Sequence, residues 1–193
     1  RRTGDLARSL GMRAPGERVV NDAGGARAAL AELGTPLVLK SASEEGRKVL
    51  RYVRSERELG AAFSAVQQGS SNAVLAQEYV PGDGWGFSAL YWNGTRLRSF
   101  MHRRVREWPP SGGTSACAES VPDLPPLAPA GTHLLDTLRW HGVAMVEFKG
   151  DPARGTLALV EINAKFWGSH DLALAAGVDF PGDMAAMLEG RAL

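Results

Sequence analysis

The chain contains a single cysteine, Cys117. An internal disulfide is therefore excluded, and a reducing compartment is the expected setting. No His–Asp pattern stands beside Cys117, which is read as a bystander thiol. No Ser-His-Asp or Cys-His arrangement for nucleophilic catalysis is apparent elsewhere. Long hydrophobic runs are missing too: there is no stretch of about 18 apolar residues and no basic-then-apolar leader. A cytoplasmic protein with no membrane partner is expected. Neither sign of charge dominates. With 22 Lys and Arg against 21 Asp and Glu, the net charge of +1 gives no reason to expect nucleic acid as a partner. The first residue is Arg1 rather than Met, so upstream sequence is expected.

What the chain does have is a core. At 193 residues and 44% hydrophobic it can fill one domain or two joined subdomains. Leu6 and Leu10 at helical spacing, with Gly11 as a stop, predict a short N-terminal helix. A strand over Arg18–Val20 is followed by Asn21 or Asp22 as a helix cap, a helix over Ala26–Leu33 and Gly34 at its end. Leu37-Val38-Leu39 reads as a strand ending in Lys40, and 49–53 alternates like another. Ser55 and Glu58 form a capping box opening a helix over Arg57–Gln68. Val74–Val80 is a further strand, stopped by Pro81-Gly82-Asp83-Gly84. Gly86–Trp92 and Thr95–Arg104 alternate around Asn93-Gly94, a hairpin signal. Residues 107–131, rich in Pro, Gly and Ser, are expected to form a long functional loop. Helices are predicted over Thr132–Trp140, Asp171–Ala176 and Gly182–Leu188. The fold class is α+β in two lobes: residues 1–76 with the N-terminal helix, and residues 77–193.

The most informative stretches are GVAMVEFKGD (142–151) and TLALVEINAKFWGS (156–169). Each is an apolar strand running into a glutamate, Glu147 and Glu161, with a turn between them containing Asp151, Pro152 and Gly155. Neighbouring strands lie about 4.8 Å apart, so carboxylates at facing positions can share one hard cation. Asn163, two residues past Glu161, points the same way. Three convergent oxygen ligands suit magnesium, which completes its shell with nucleotide phosphates. An ATP site is the leading reading.

Taken with GTPLVLKSASEEG (34–46), AQEYVPGDGWGFSAL (76–90) and HRRVREWPPSGG (102–113), these stretches resemble the ATP-grasp superfamily, in particular ligases related to carbamoyl-phosphate synthase and biotin carboxylase domains. The resemblance implies two lobes gripping ATP, with magnesium, or manganese, held by Glu147, Glu161 and Asn163. It implies that Lys40 contacts ATP phosphate and the adenine edge, and that 41–47 forms the phosphate-covering loop. Glu78 and the backbone of Tyr79 and Val80 would read adenine, and Asp83 the ribose. Lys165 stands where the family usually has Arg and keeps the charge without the bidentate fork. Arg103 or Arg104 would face the transferred phosphoryl group, and strand alternation lets only one of them do so. The loop 109–113 would shape the substrate pocket.

The implied activity is an ADP-forming ligase that activates a small-molecule carboxylate as an acyl phosphate and joins it to an amine. An upstream domain or a homo-oligomer is compatible with this. The rival readings are an ATP-binding regulatory or scaffold module with lost ligation, and a kinase-like enzyme stopping at the acyl phosphate.

Overall fold

The structure is a computed structural model that describes residues 2–42, 49–69, 73–108, 114–191 and 193. It divides into two compact units, one of Pro15–Val80 and one of Arg2–Ala14 with Pro81–Leu193. This corrects the expected division at 76/77. The N-terminal helix belongs to the second unit, and the boundary falls after the 74–80 segment. Helix α1 (Arg2–Ser9) places Ala7 in the second unit's core, with Leu6 and Leu10 packed around it. Sequence spacing shows that such a helix is amphipathic and leaves open which core it joins.

In the first unit, strands β1 (Glu17–Val20), β2 (Leu37–Ser41), β3 (Leu50–Val53) and β4 (Val74–Glu78) form an antiparallel sheet in the order β1-β4-β2-β3. Helices α2 (Ala23–Leu33) and α3 (Glu56–Gly69) cover one face. They bury Leu37, Leu39, Val53, Val74 and Ala76 against Ala26, Leu30, Leu59, Phe63 and Val66. The Asp22 carboxylate accepts the Gly25 N–H at 2.7 Å and starts α2 three residues earlier than expected, because Gly24 and Gly25 hide the first turn from a propensity reading. Glu58 does reach back, as in a capping box, but it accepts the Arg54 N–H (2.8 Å) rather than that of Ser55.

The second unit is built on a five-stranded antiparallel sheet in the order β7-β6-β5-β8-β9. Its strands are β5 (Asp83–Trp92), β6 (Thr95–Trp108), β7 (Thr114–Val121), β8 (Gly142–Gly150) and β9 (Ala158–Asn163). Helix α4 (Leu127–Thr137) and α1 cover one face, where Trp85, Phe87, Ala89, Tyr91, Val146 and Phe148 meet Leu127, Leu134 and Leu135. Helices α5 (His170–Ala175) and α6 (Phe180–Leu188) cover part of the other, where Leu90, Phe100, Val143 and Met145 meet Trp167, Ala173 and Phe180. Side-chain alternation therefore gives β5 two different faces: Trp85, Phe87, Ala89 and Tyr91 on the core side, and Gly84, Gly86 and Ser88 on the other.

The long loop expected over 107–131 is not what forms. β6 continues to Trp108, β7 pairs back along it from Trp108↔Thr114 to Met101↔Val121, and α4 begins at Leu127. β7 reads Thr-Ser-Ala-Cys-Ala-Glu-Ser-Val and shows no apolar alternation, so pairing with β6 makes it a strand and local propensity does not. The Pro109–Gly113 segment and most of the proposed phosphate-covering loop (43–47) lie outside the described residues. Among the described residues no helix is long and apolar enough to cross a membrane.

Candidate functional site

Glu147 and Glu161 are direct register partners on β8 and β9, and Asn163 lies opposite Met145 two register positions away. All three side chains thus share the face of the sheet that carries Gly84, Gly86 and Ser88. A register shift after Glu147 pairs Phe148 with Leu159, so the apolar residues of both strands return to the core while the two acids stay together. Asn163 is 8% exposed and donates its side-chain Nδ2 to Glu147 Oε1 at 3.0 Å. The other oxygen, Glu147 Oε2, is held by Arg104 Nη2 at 2.7 Å.

Arg104 lies on β6, two strands from β8, a span of roughly 9–10 Å. It covers that distance because β5 offers no side chain beneath it. A Cβ on Gly84 would sit 2.8 Å from Arg104 Cδ, and one on Gly86 would sit 2.2 Å from His102 Cε1. The two glycines make a floor over which the long side chains of β6 reach the acids of β8. Arg104 Nη1 also lies 3.5 Å from Glu107 Oε1, and Glu107 Oε2 lies 3.9 Å from Lys149 Nζ. A half-buried line of alternating charge results: Lys149, Glu107, Arg104, Glu147.

His102 sits at the inner end of this line, buried, with Nδ1 unpartnered. Burial first, and Arg104 second, push its pKa down from 6.5 to about 4, so the ring is neutral near pH 7. Ser88 Oγ and Trp167 Nε1 are buried without partners on the same side of the sheet.

Arg103, one residue along, points to the opposite face. Its guanidinium pairs with Glu119 (2.6 Å) and Asp83 (3.4 Å) and lies 6.0 Å from the centre of the Trp85 ring. The hydrogen bond and charge of Glu119 hold its pKa above the ordinary arginine value. Of the two arginines, the structure brings Arg104 to Glu147, and Arg103 pairs with Glu119 and Asp83 instead. Lys165, two residues past Asn163, is exposed.

In the first unit, Lys40 lies opposite Leu50 and Leu75, and alternation puts it with Val38 on the face away from α2 and α3. Register puts Gln77 on that face and Glu78 on the other. The Glu78 carboxylate accepts the Gly16 N–H at 3.0 Å. Tyr79 meets Tyr52 edge to face at 5.8 Å, and Val80 is buried.

Among the described residues no three His, Cys, Asp or Glu side chains are placed to hold a metal ion by themselves. The donor set here is two carboxylates and an amide, all oxygen donors on one face, and it fits a hard cation. Sequence reasoning missed Glu107 and Lys149, and it gave the glycines of β5 no role. The alternation Gly84-x-Gly86 ahead of Ser88 was the available signal, because same-face glycines in a strand mark a close approach.

Neither a known family model nor a curated protein sequence matches the chain. Solved structures do. The biotin carboxylase domain of 2-oxoglutarate carboxylase from Hydrogenobacter thermophilus, solved with MgADP, ADP and bicarbonate, superposes with a TM-score of 0.78 at 18% identity, covering 100% of this chain and 45% of its own. D-alanine–D-alanine ligase from Bacillus anthracis gives 0.68 at 20% identity, over 97% of this chain and 64% of that one. The ATP-grasp ligase PsnB, in complex with a minimal precursor, Mg and ADP, gives 0.65 at 18% identity, over 96% and 56%. The chain thus spans about half the length of the structures it matches. With 96–100% of this chain covered at TM-scores of 0.65–0.78, the chain has the ATP-grasp fold.

Proposed function

We infer that this chain is the nucleotide-binding and phosphoryl-transferring part of an ADP-forming ligase that activates a carboxylate and couples it to an amine. The observation that carries this reading is the shared face of Glu147, Glu161 and Asn163 with Arg104 at its edge. Glu147, Glu161 and the Asn163 amide oxygen would hold magnesium, or manganese in its place. A divalent cation there supplies charge neutralisation on the triphosphate. Lys40, a compact ammonium at a strand end, serves the phosphates. Tyr79 and Val80 offer backbone groups to adenine, as does Glu78, whose carboxylate is committed to Gly16. Asp83 serves the ribose, in exchange for Arg103. Arg104 and Lys165 stabilise the anionic oxygens of the transferred group.

The reaction balances without a protein nucleophile. A carboxylate oxygen of the substrate attacks the terminal phosphorus, and the bond to the bridging oxygen breaks to release ADP. The amine then attacks the acyl carbon, phosphate leaves with the C–O bonding pair, and the amine gives up a proton. The protein positions the groups and neutralises charge.

Binding of a non-hydrolysable ATP analogue, titrated calorimetrically with and without magnesium, tests the reading. Lys40→Ala should cost about 1.5–3 kcal/mol of a charge-assisted contact. Glu161→Gln should remove the magnesium-dependent part of the affinity and leave the metal-free part. Analogue binding indifferent to magnesium and to both substitutions would refute the assignment. Tight magnesium-dependent binding without ADP release across a panel of carboxylates and amines would favour the regulatory-module reading, which the exposed Lys165 in place of arginine also favours.

A further inference from the structure

Among the described residues, Glu107 is an acid beside Arg104 that the metal-type ligand set leaves unexplained. In a regular strand, residues three apart point to opposite faces, so Arg104 and Glu107 ought to be separated by the sheet. They are not. β6 carries two register shifts against β7, between Arg104 and Arg106 and between Arg106 and Glu107, and these turn the Glu107 side chain back beside Arg104. Bulges re-aim side chains in this way. The Glu107 side chain is only 16% exposed, with Lys149 on its far oxygen.

Arg104 therefore stands between two carboxylates at unequal distances, 2.7 Å from Glu147 Oε2 and 3.5 Å from Glu107 Oε1. Its Nη2 holds Glu147 closely, while Nη1 keeps a longer, weaker contact to Glu107. A guanidinium and a divalent cation cannot both sit on Glu147 Oε2, because Asn163 already covers Oε1 and the two positive charges would repel at that range.

We propose that Glu107 is a positioning residue that receives Arg104 when Glu147 takes up a divalent cation. The proposal rests on the metal-site reading above. Cation entry then frees Glu147 without expelling the guanidinium into water. Arg104 stays over the glycine floor of β5, at the edge of the metal site, where its other N–H groups face incoming phosphate oxygens. Lys149 keeps the Glu107 carboxylate in place. In the cation-free protein the same arginine neutralises Glu147, which would otherwise be a half-buried charge without a counter-ion. Cation affinity and arginine position are thus coupled, and the coupling is reciprocal.

The test is Mn2+ binding to the nucleotide-free full chain, followed by the loss of the free-ion paramagnetic resonance signal. Wild type, Arg104→Gln, Glu107→Gln, the double variant and Glu161→Gln are compared. Arg104→Gln should tighten Mn2+ by on the order of five-fold or more, because the competitor is gone. Glu107→Gln should weaken it by a similar factor, because the arginine has lost its second seat. In the Arg104→Gln background, Glu107→Gln should change nothing. Equal weakening in both backgrounds would mean that Glu107 acts only as a bystander charge, and would overturn the proposal. So would Mn2+ binding that depends on Glu161 but ignores Arg104→Gln. If neither wild type nor Arg104→Gln binds Mn2+, the metal-site reading itself fails. Arg104→Lys lacks the planar fork that spans both acids, and is the fallback if the glutamine variant does not fold. It should make Mn2+ affinity insensitive to Glu107.

Discussion

His102 offers the most direct thermodynamic test of the site as built. Its ring is 1% exposed, lies over Gly86, and has an unpartnered Nδ1. Burial, with a smaller contribution from Arg104, lowers its pKa from 6.5 to about 4. The folded value is below the unfolded one, so the neutral ring contributes stability that is fully present above pH 6.5. That contribution is lost as pH falls from 6.5 towards 4, because the unfolded chain takes up the proton and the folded chain does not. Linkage makes the loss about 2 kcal/mol between pH 7.5 and pH 5, and about 3 kcal/mol below pH 4. Many carboxylates also titrate in this range, so the measurement is a difference of differences. Urea unfolding free energies at pH 7.5 and pH 5 are compared for wild type and His102→Gln, which keeps a planar polar group and removes the titration. Wild type should lose about 2 kcal/mol more than the variant on acidification. Equal losses in the two proteins, or an imidazole proton resonance of His102 titrating near pH 6.5, would refute the picture of a dry, neutral ring beside Arg104.

Two further outcomes are expected. Gly131→Ala in α4 gains up to about 1 kcal/mol of helix propensity, but the new Cβ would lie 2.3 Å from Cδ1 of the fully buried Phe87 ring. Overpacking of that kind costs about 1–3 kcal/mol, so the variant should be less stable in chemical denaturation, and a stabilised variant would contradict the packing described here. Lys165→Ala should lower ATP turnover by roughly 100-fold if the ammonium stabilises the transferred phosphoryl group, whereas parental turnover would remove Lys165 from the site. Lys165→Arg then distinguishes a pocket suited to the compact ammonium, where turnover falls, from one in which the fork restores the grip, where it holds or rises.

Much of this architecture was legible in the chain because its signals are local. The apolar runs before Glu147 and Glu161, with Asn163 in phase, carry the pairing of β8 and β9, since period-two alternation and a short turn leave few registers. A cap for α2 at Asn21 or Asp22, of which Asp22 takes the role, and Asn93-Gly94 as the β5–β6 turn are likewise set within a few residues. What needed the tertiary structure was every choice between partners distant in sequence. The unit that receives α1 is decided by which core its leucine face fits. β7 is a strand only because β6 supplies a ladder for residues with little strand preference of their own. Glu78 and Gln77 trade faces through the register of β4 on β2. Arg103 and Arg104 were known to face opposite ways, but which one meets Glu147 depends on the two glycines of a third strand, and Glu107 joins them only through bulges that no periodicity reveals. Alternation along a strand is a property of the backbone, readable one residue at a time. The identity of the neighbour across the sheet is a property of the whole fold, and only the folded chain specifies it.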